Sequence, residues 1–588
     1  MPAIVVYYVS MPKRNGAMHV VTTMRKYKNK IYRTHLLRRS YREGKKVKSE
    51  TLGNLSHLPA HVIELIRRSL KGETMVSSTD AFEAIASHHH GHVQAVLAAM
   101  KHLAFEGVIA SAPSRERDLV VGMIAARILD PESKLATTRW WHTTTLPDIL
   151  GVSDADEDDL YGAMDWLLKR QGHIEKKLAA RHLKEGGMAL YDLSSSYFEG
   201  ITCPLAALGH NRDGKKGKLQ VNYGLLTDDR GRPVSVSVFP GNTGDPKTLM
   251  PQVQKVKVDF GIKTIVLVGD RGMISQTQID EIRDVAGIDW ITALKTGAIR
   301  KLVDDQALQL ELFDERNIFE FTHPDFPGER LVACRNPELR KLRAHKRRSL
   351  LEATGRELAK VQGMVARGTL AGKDTIGVRV GTVVNKYKVA KHFVLAIEDQ
   401  GFSFHIDEEK VAAEAALDGI YVLRTSLAKE RLSTEDTVRS YKNLSQVERA
   451  FRSIKTMDLK VRPIHHHLED RVRAHIFLCM LACYVEWHMR EVWRSVLFCD
   501  EDQELKKTRD PVAPAKRSKA ALEKVHSKVL ADGSAVHSFQ TLLKLLSTIV
   551  RNRCRVPTDG PNAPTFDVLT TPTAEQQRAY NLLGAIAV

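Results

Sequence analysis

No run of 18 or more apolar residues occurs in the 588-residue chain, so a membrane-spanning helix is not expected. The opening MPAIVVYYVSMPKRNG has too short an apolar stretch, and no small-residue cleavage site, for a secretory signal; it reads as a first β-strand. The six cysteines are scattered without a CxxC pair, which argues against a zinc site or a disulfide framework and fits a reducing cytoplasm. Cys479 and Cys483, in HIFLCMLACYV, are expected as small core residues of a helix. Negative charge is in short supply too: 70 Asp and Glu stand against 88 Lys and Arg, a formal net charge of +18. That excess favours a polyanionic partner, and without an amphipathic anchor or lipidation motif the partner expected is nucleic acid, not a membrane.

What is present is ordinary globular composition, 43% hydrophobic and 27% charged, at a length that allows several domains. Residues 1–80 alternate like short strands, with turn signals at Lys28-Asn29-Lys30 and Glu43-Gly44. Between Arg25 and Lys48 there are eleven Lys or Arg residues and one Glu, interleaved with Tyr27, Tyr32 and Tyr41. Such a segment can contact phosphates and stack on bases, or be a solvated basic hairpin. Residues 81–186 read as helical, with the acids of Asp154 to Asp159 as capping residues of one helix start. His88 to His90, adjacent on a helix, would point in different directions, which disfavours metal binding there.

From residue 187 the pattern changes. GMALYDLSSSYFEG is expected as a strand, LQVNYGLLTDDRGRPVSVSVFPGN as a hairpin, and strand and helix then alternate through TIVLVGDRGM and DWITALK. The sum is a mixed α/β sheet with helical cover over 187–296, resumed over 419–500. Between these, 297–418 reads as an inserted subdomain containing a long basic helix, and 501–588 as a polar tail ending in short helices.

An apolar run such as IVLVG that ends on Asp270 and Arg271 puts a carboxylate at the tip of a buried strand, which is costly unless a cation meets it. Arg271 could be that cation, or a metal ion held with other carboxylates. Asp192 lies at the end of the first strand of the sheet, and strand neighbours could bring it beside Asp270. A third acid should come from a helix against the strand ends. In YKNLSQVERAFRSIK, Tyr441, Glu448 and Lys455 recur every seven residues and so share one helix face. A solvated helix surface would look the same.

The combination resembles the DDE-type insertion-sequence transposases, in particular the IS-four-like branch marked by a Y-x2-R-x3-E-x6-K signature. Tyr441, Glu448 and Lys455 match that signature, YDLSSSYFEG and VGDRGMIS resemble its two Asp regions, and a long insertion precedes the Glu. The resemblance implies a ribonuclease H-like core in which Asp192, Asp270 and Glu448 bind two Mg²⁺ ions, Mn²⁺ being able to substitute. It implies cutting of element ends and strand transfer into target DNA, by a homodimer on paired terminal inverted repeats in the bacterial cytoplasm, at the nucleoid. Tyr441 and Lys455 would position phosphates, and Arg271 would steady Asp270 or touch the backbone. Leu444 stands where the signature has Arg, leaving Arg449 and Arg452 as candidates for that contact. Residues 297–418 contain no Trp of the kind that holds a flipped base in some relatives, so a hairpin route is not implied. The alternatives are a nuclease with the same core and no strand transfer, and a DNA-binding regulator.

Overall fold

The structure is a computed structural model describing residues 16–28, 30–73, 82–309, 313, 317–500, 510–513, 516–556 and 564–587. The strand expected at the start of the chain lies outside these residues, as does Asn29 of the first turn. The described part divides into two compact units, one up to Ser87 with Asn552–Val568, the other His88–Arg551 with Leu569–Val588.

The first unit carries an antiparallel meander of β1 (Ala17–Tyr27), β2 (Lys30–Glu43) and β3 (Lys46–Asn54), followed by the helix Ala60–Leu70. Ala17 pairs with Ser40 and Tyr27 with Lys30, and Gly44, at φ +62°, makes the next turn. Much of the distal hairpin faces solvent, Tyr27 and Tyr32 included. The stretch from Glu83 departs from the helical expectation: it is β4 (Glu83–His89), and the helix begins only at Gly91. β4 belongs to a three-stranded sheet whose other members come from the far end of the chain, a pairing that local periodicity cannot reveal.

In the second unit, short helices from Gly91 to His182 surround a long apolar helix, Glu469–Val492, and lead into the main sheet. The acids near residue 156 cap as expected. Asp156 accepts from the Asp158 and Asp159 amides in a capping box, and Asp154 meets Arg115. Glu469–Val492 is apolar on nearly every side and correspondingly buried on nearly every side; Cys479 and Cys483 sit in its core.

The main sheet takes β5 (Met188–Tyr197), β6 (Gln220–Asp228), β7 (Pro233–Pro240), β8 (Ile265–Val268), β9 (Ile288–Ala293), β10 (Ile318–Phe321) and β11 (Arg330–Arg335). Its remaining member, β14 (Ile420–Thr425), follows a separate hairpin of β12 (Phe393–Ile397) and β13 (Phe402–Ile406). The spatial order is β10-β11-β14-β9-β8-β5-β6-β7. β5, β6 and β7 form an antiparallel meander, while β8 and β9 run parallel to β5. Three antiparallel strands followed by two parallel ones on the far side of the first make the ribonuclease H-like core. β6 is buried along its whole length, as a central strand covered on both faces should be.

β10 and β11 fall within the stretch read as an insertion, yet both pair into this sheet. The part with a core of its own runs from the helix Pro337–Ala366 through Lys373–Tyr387 and the β12–β13 hairpin to Glu408–Ala416. β15 (Val550–Arg555) and β16 (Thr565–Leu569) complete the sheet of β4.

Candidate active site

Two of the three acids are fixed by strand register. Leu190 of β5 pairs with Val268 of β8, and the strands run parallel. Asp192 and Asp270 each lie two residues further on, so they stand side by side, on strands about 4.8 Å apart. Asp192 is not at a strand end as expected but midway along β5, which runs on to Tyr197 beside β6, while Asp270 lies just past the end of β8. Asp192 Oδ1 accepts from the Leu193 amide at 2.9 Å. Asp270 Oδ1 accepts from the amides of Gly272 and Met273, at 3.0 and 2.9 Å, in the tight turn that follows β8.

Glu448 arrives from the helix Leu444–Arg452, whose buried face of Val447, Ala450 and Phe451 packs against β5 and its neighbours. Phe451 meets the ring of Tyr223 edge-on at 5.7 Å. The segment expected as one helix is interrupted: Thr434–Lys442 ends before Asn443, Leu444–Arg452 begins after it, and Ser453–Met457 winds as a π turn. Ser433 caps the first of these helices by accepting from the Asp436 amide. The extra residue of the π turn swings Lys455 inward, where it is buried.

Asp192, Asp270, Glu448, Tyr441, Arg452 and Lys455 all line one cavity of about 540 Å³. Arg271 and Arg449 are exposed and do not line it; Arg449 lies among Arg494, Glu491 and Cys499. Burial pushes the Asp192 carboxyl up to about 7, reinforced by the negative charges of Asp270 and Glu448 and opposed by the Leu193 amide and Arg212. Burial, together with the same acids, pushes the Tyr441 phenol up to about 12, so it keeps its proton at neutral pH. Lys455 is shifted downward by burial, against an ion pair with Asp213 at 2.6 Å. Its Nζ also donates to Ser194 Oγ at 2.9 Å.

Sequence reasoning missed Ser194, Arg212 and Asp213 around this cavity, and Asp245 beside them. Arg212 and Asp213 stand in the loop GHNRDGKKGKLQ, whose many charges read only as a basic connection. An Asp embedded among cations was the one available signal. The triple histidine at 88–90 is split between structural partners, His89 bonding to the Ser547 carbonyl and His90 to Thr145. His465, His466 and His467 diverge as well: His467 bonds to Thr202, and His466 packs on His475 and Tyr161. Among the described residues no set of three or more His, Cys, Asp or Glu side chains is arranged to hold a metal ion as it stands.

A family model described as "Transposase DDE domain" matches residues 201–485, and one described as "IS1634 family transposase, N-terminal domain" matches 20–81. Asp270 and Glu448 fall within the first match, and Asp192 lies nine residues before it. No protein with a curated description matches the chain. Among solved structures, a piggyBac transposase synaptic complex with hairpin DNA aligns over 84% of this chain and 84% of its own. The identity is 8% and the TM-score 0.34, too slight a likeness to bear on the fold. With the ribonuclease H-like sheet, the two matched domains define a DDE transposase, an enzyme that cuts and transfers DNA strands. More particularly, the chain is the transposase of an insertion sequence. Among the described residues no helix is long and apolar enough to cross a membrane.

Proposed function

We propose that this transposase binds the terminal inverted repeats of its element and performs both cutting and joining in the cavity beside the middle of β5 and the end of β8. Asp192, Asp270 and Glu448 would hold two Mg²⁺ ions there, with Mn²⁺ able to substitute. The observation that carries this is the convergence of three carboxylates from three separate elements, with Asp192 pushed up to about 7 in part by the other two. Hard cations prefer such oxygen donors and would relieve that repulsion. Asp192 and Asp270 are held by backbone amides, whereas Glu448 is exposed on its helix and free to turn toward them. The bound cations would supply charge stabilisation for both the attacking and leaving oxygens of a phosphodiester.

The chain's own part is to orient the DNA. Tyr441, protonated at neutral pH, offers a donor to a phosphate oxygen, and Arg452 offers a solvated cation at the cavity edge. Lys455 is bound to Asp213 and Ser194, so it acts mainly by shaping the wall. The basic segment 1–80, jointly with the helical region to 186, would bind the element's ends. Residues 187–296 and 419–500 would supply the two halves of the catalytic core, interrupted by 297–418. Residues 501–588 would serve assembly into a homodimer on paired ends, in the cytoplasm at the nucleoid.

The test is an assay with purified full-length protein, labelled element ends and a supercoiled target. Mg²⁺-dependent cleavage followed by joined products is expected. In Glu448→Gln both should fall about a thousandfold or more while end binding survives, because charge is removed with little change of shape. Cleavage without joining would leave only a nuclease, and binding without either would leave a regulator. Wild-type cleavage by Glu448→Gln would sink the metal-site reading.

A further inference from the structure

We infer that Arg212 grips a backbone phosphate of the strand being cut, through a guanidinium that Asp245 holds ready; this rests on the cavity being the site of cleavage. Arg212 leaves the loop between β5 and β6 and lines the cavity with Asp192, Asp270 and Glu448. Its Nη2 donates to Asp245 Oδ1. Its Nη1 is shut off from solvent and has no acceptor among the described residues. A buried donor left unpaired costs roughly 1–3 kcal/mol, so the guanidinium gains an acceptor once the cavity wall gives way enough for a phosphate oxygen to reach Nη1.

Asp245 and Asp270 flank one small volume at Gly272, where an added Cβ would stand 3.3 Å from Asp270 Oδ1 and 3.8 Å from Asp245 Oδ2. Because glycine occupies that position, backbone from a ligand can come close. The neighbouring cation is already committed: Lys455 is paired with Asp213, whose side chain is 1% exposed and also takes Arg462 and the Tyr197 amide. Arg212 therefore differs from Lys455 in keeping a donor to spare, and from exposed Arg452 in being oriented beforehand. A planar guanidinium anchored on one prong presents the other in a fixed direction, which suits phosphate and gives up little freedom on binding.

The experiment measures binding of full-length protein, in chelator, to duplexes carrying the element's terminal sequence, with a neutral methylphosphonate replacing each phosphate near the cut in turn. Wild type should show one position at which the neutral linkage weakens binding about tenfold. Arg212→Gln should bind the unmodified duplex about tenfold more weakly and be indifferent to the linkage at that position alone, the other positions keeping their effect. Arg212→Lys, which keeps the charge beside Asp245 but lacks the fork, should show a partial loss at the same place and serves if the Gln variant fails to fold. A wild-type profile in either variant, or an equal weakening at every position, overturns the inference. Glu448→Gln in parallel separates the two readings: it should keep the wild-type binding profile while cleavage is lost. If it still cleaves, the metal site falls and the profile still judges Arg212.

Discussion

At the acidic end of the sheet, Asp192 and Asp270 project from adjacent parallel strands and Glu448 from a helix packed across them. Charged and polar side chains dominate the surroundings, and the charges oppose one another across a few side chains. The excursion between β11 and β14 is built otherwise. Leu351, Leu358, Val361 and Val365 of its long helix pack on Ile376, Val380 and Val384 of the next, and Phe393 and Phe402 of the hairpin close the core. Apart from the inward pair of Arg347 and Asp418, its charges lie mostly outward, with Arg340, Lys341, Arg343, Lys346 and Arg348 all exposed. One region concentrates like charge where burial makes it costly; the other keeps charge in water and rests on apolar packing. The first is suited to chemistry and sensitive to every atom, and the second can vary in sequence so long as its core stays filled.

The largest effect should come from breaking the first region. Asp192→Asn and Asp270→Asn are each expected to lower cleavage and joining by about three orders of magnitude or more. Their double variant should be hardly worse than either, as for groups that act as a unit. Glu199→Gln and Asp280→Asn, whose carboxylates pair with Lys218 and Arg283, should leave cleavage near wild type. Cleavage rates on labelled ends measure all of these; additive losses in the double variant would argue that the acids do not serve one site.

A buried charge with no acidic partner among the described residues offers a second test of the same contrast. Lys134 is 4% exposed, and burial, with Arg127 nearby, pushes its ammonium down to about 7. The folded state thus binds this proton less tightly than the unfolded chain, whose lysine titrates near 10.4. The resulting penalty is full below pH 7 and fades as pH rises from 7 toward 10. Lys134→Met should raise thermal stability at pH 7, by an upper bound on the order of 4–5 kcal/mol, and by much less at pH 9.5. An equal gain at both pH values would show that packing, not charge, is responsible.

How far the sequence discloses these regions depends on how local their causes are. Asp270 stands out because an apolar run ending on an acid is anomalous within five residues. Glu448 stands out only through its seven-residue spacing with Tyr441 and Lys455. That spacing survives although Asn443 breaks the helix and a π turn follows, because all three side chains still reach the cavity. Arg212 is illegible in the sequence, since its meaning comes from Asp245, 33 residues away, and from the absence of a second acceptor among the described residues. β4 reads as helix for the same kind of reason: its hydrogen-bonded neighbour, β15, which in turn pairs with β16, lies near the other end of the chain.

The excursion can be weakened without touching the acids. Leu358 is fully buried in its core, and Leu358→Ala should cost about 2–5 kcal/mol through the apolar surface removed and the cavity that remains. Hydrogen exchange should show protection falling between Pro337 and Ala416 while β5, β6 and β8 stay protected. An equal fall in the main sheet would mean that the two cores unfold as one.

The smallest effect should come from its outer face. Arg343 and Lys346 are both exposed, and neither shares an ion pair among the described residues, whereas Arg347, next along the helix, is turned inward to Asp418 and Glu414. Arg343→Gln with Lys346→Gln should therefore shift folding stability by no more than about 0.5 kcal/mol per site. Because DNA is the substrate and this face is strongly basic, its cations should neutralise phosphates and release counterions on binding. For every phosphate that a variant leaves without its cation, the dependence of log affinity on log salt should flatten by about 0.9. Salt titrations of the double variant against wild type measure that slope directly. A flattened slope with unchanged stability would place DNA on this face, while identical slopes would leave its charges to solvent and confine the DNA path to the acidic cavity and the amino-terminal unit.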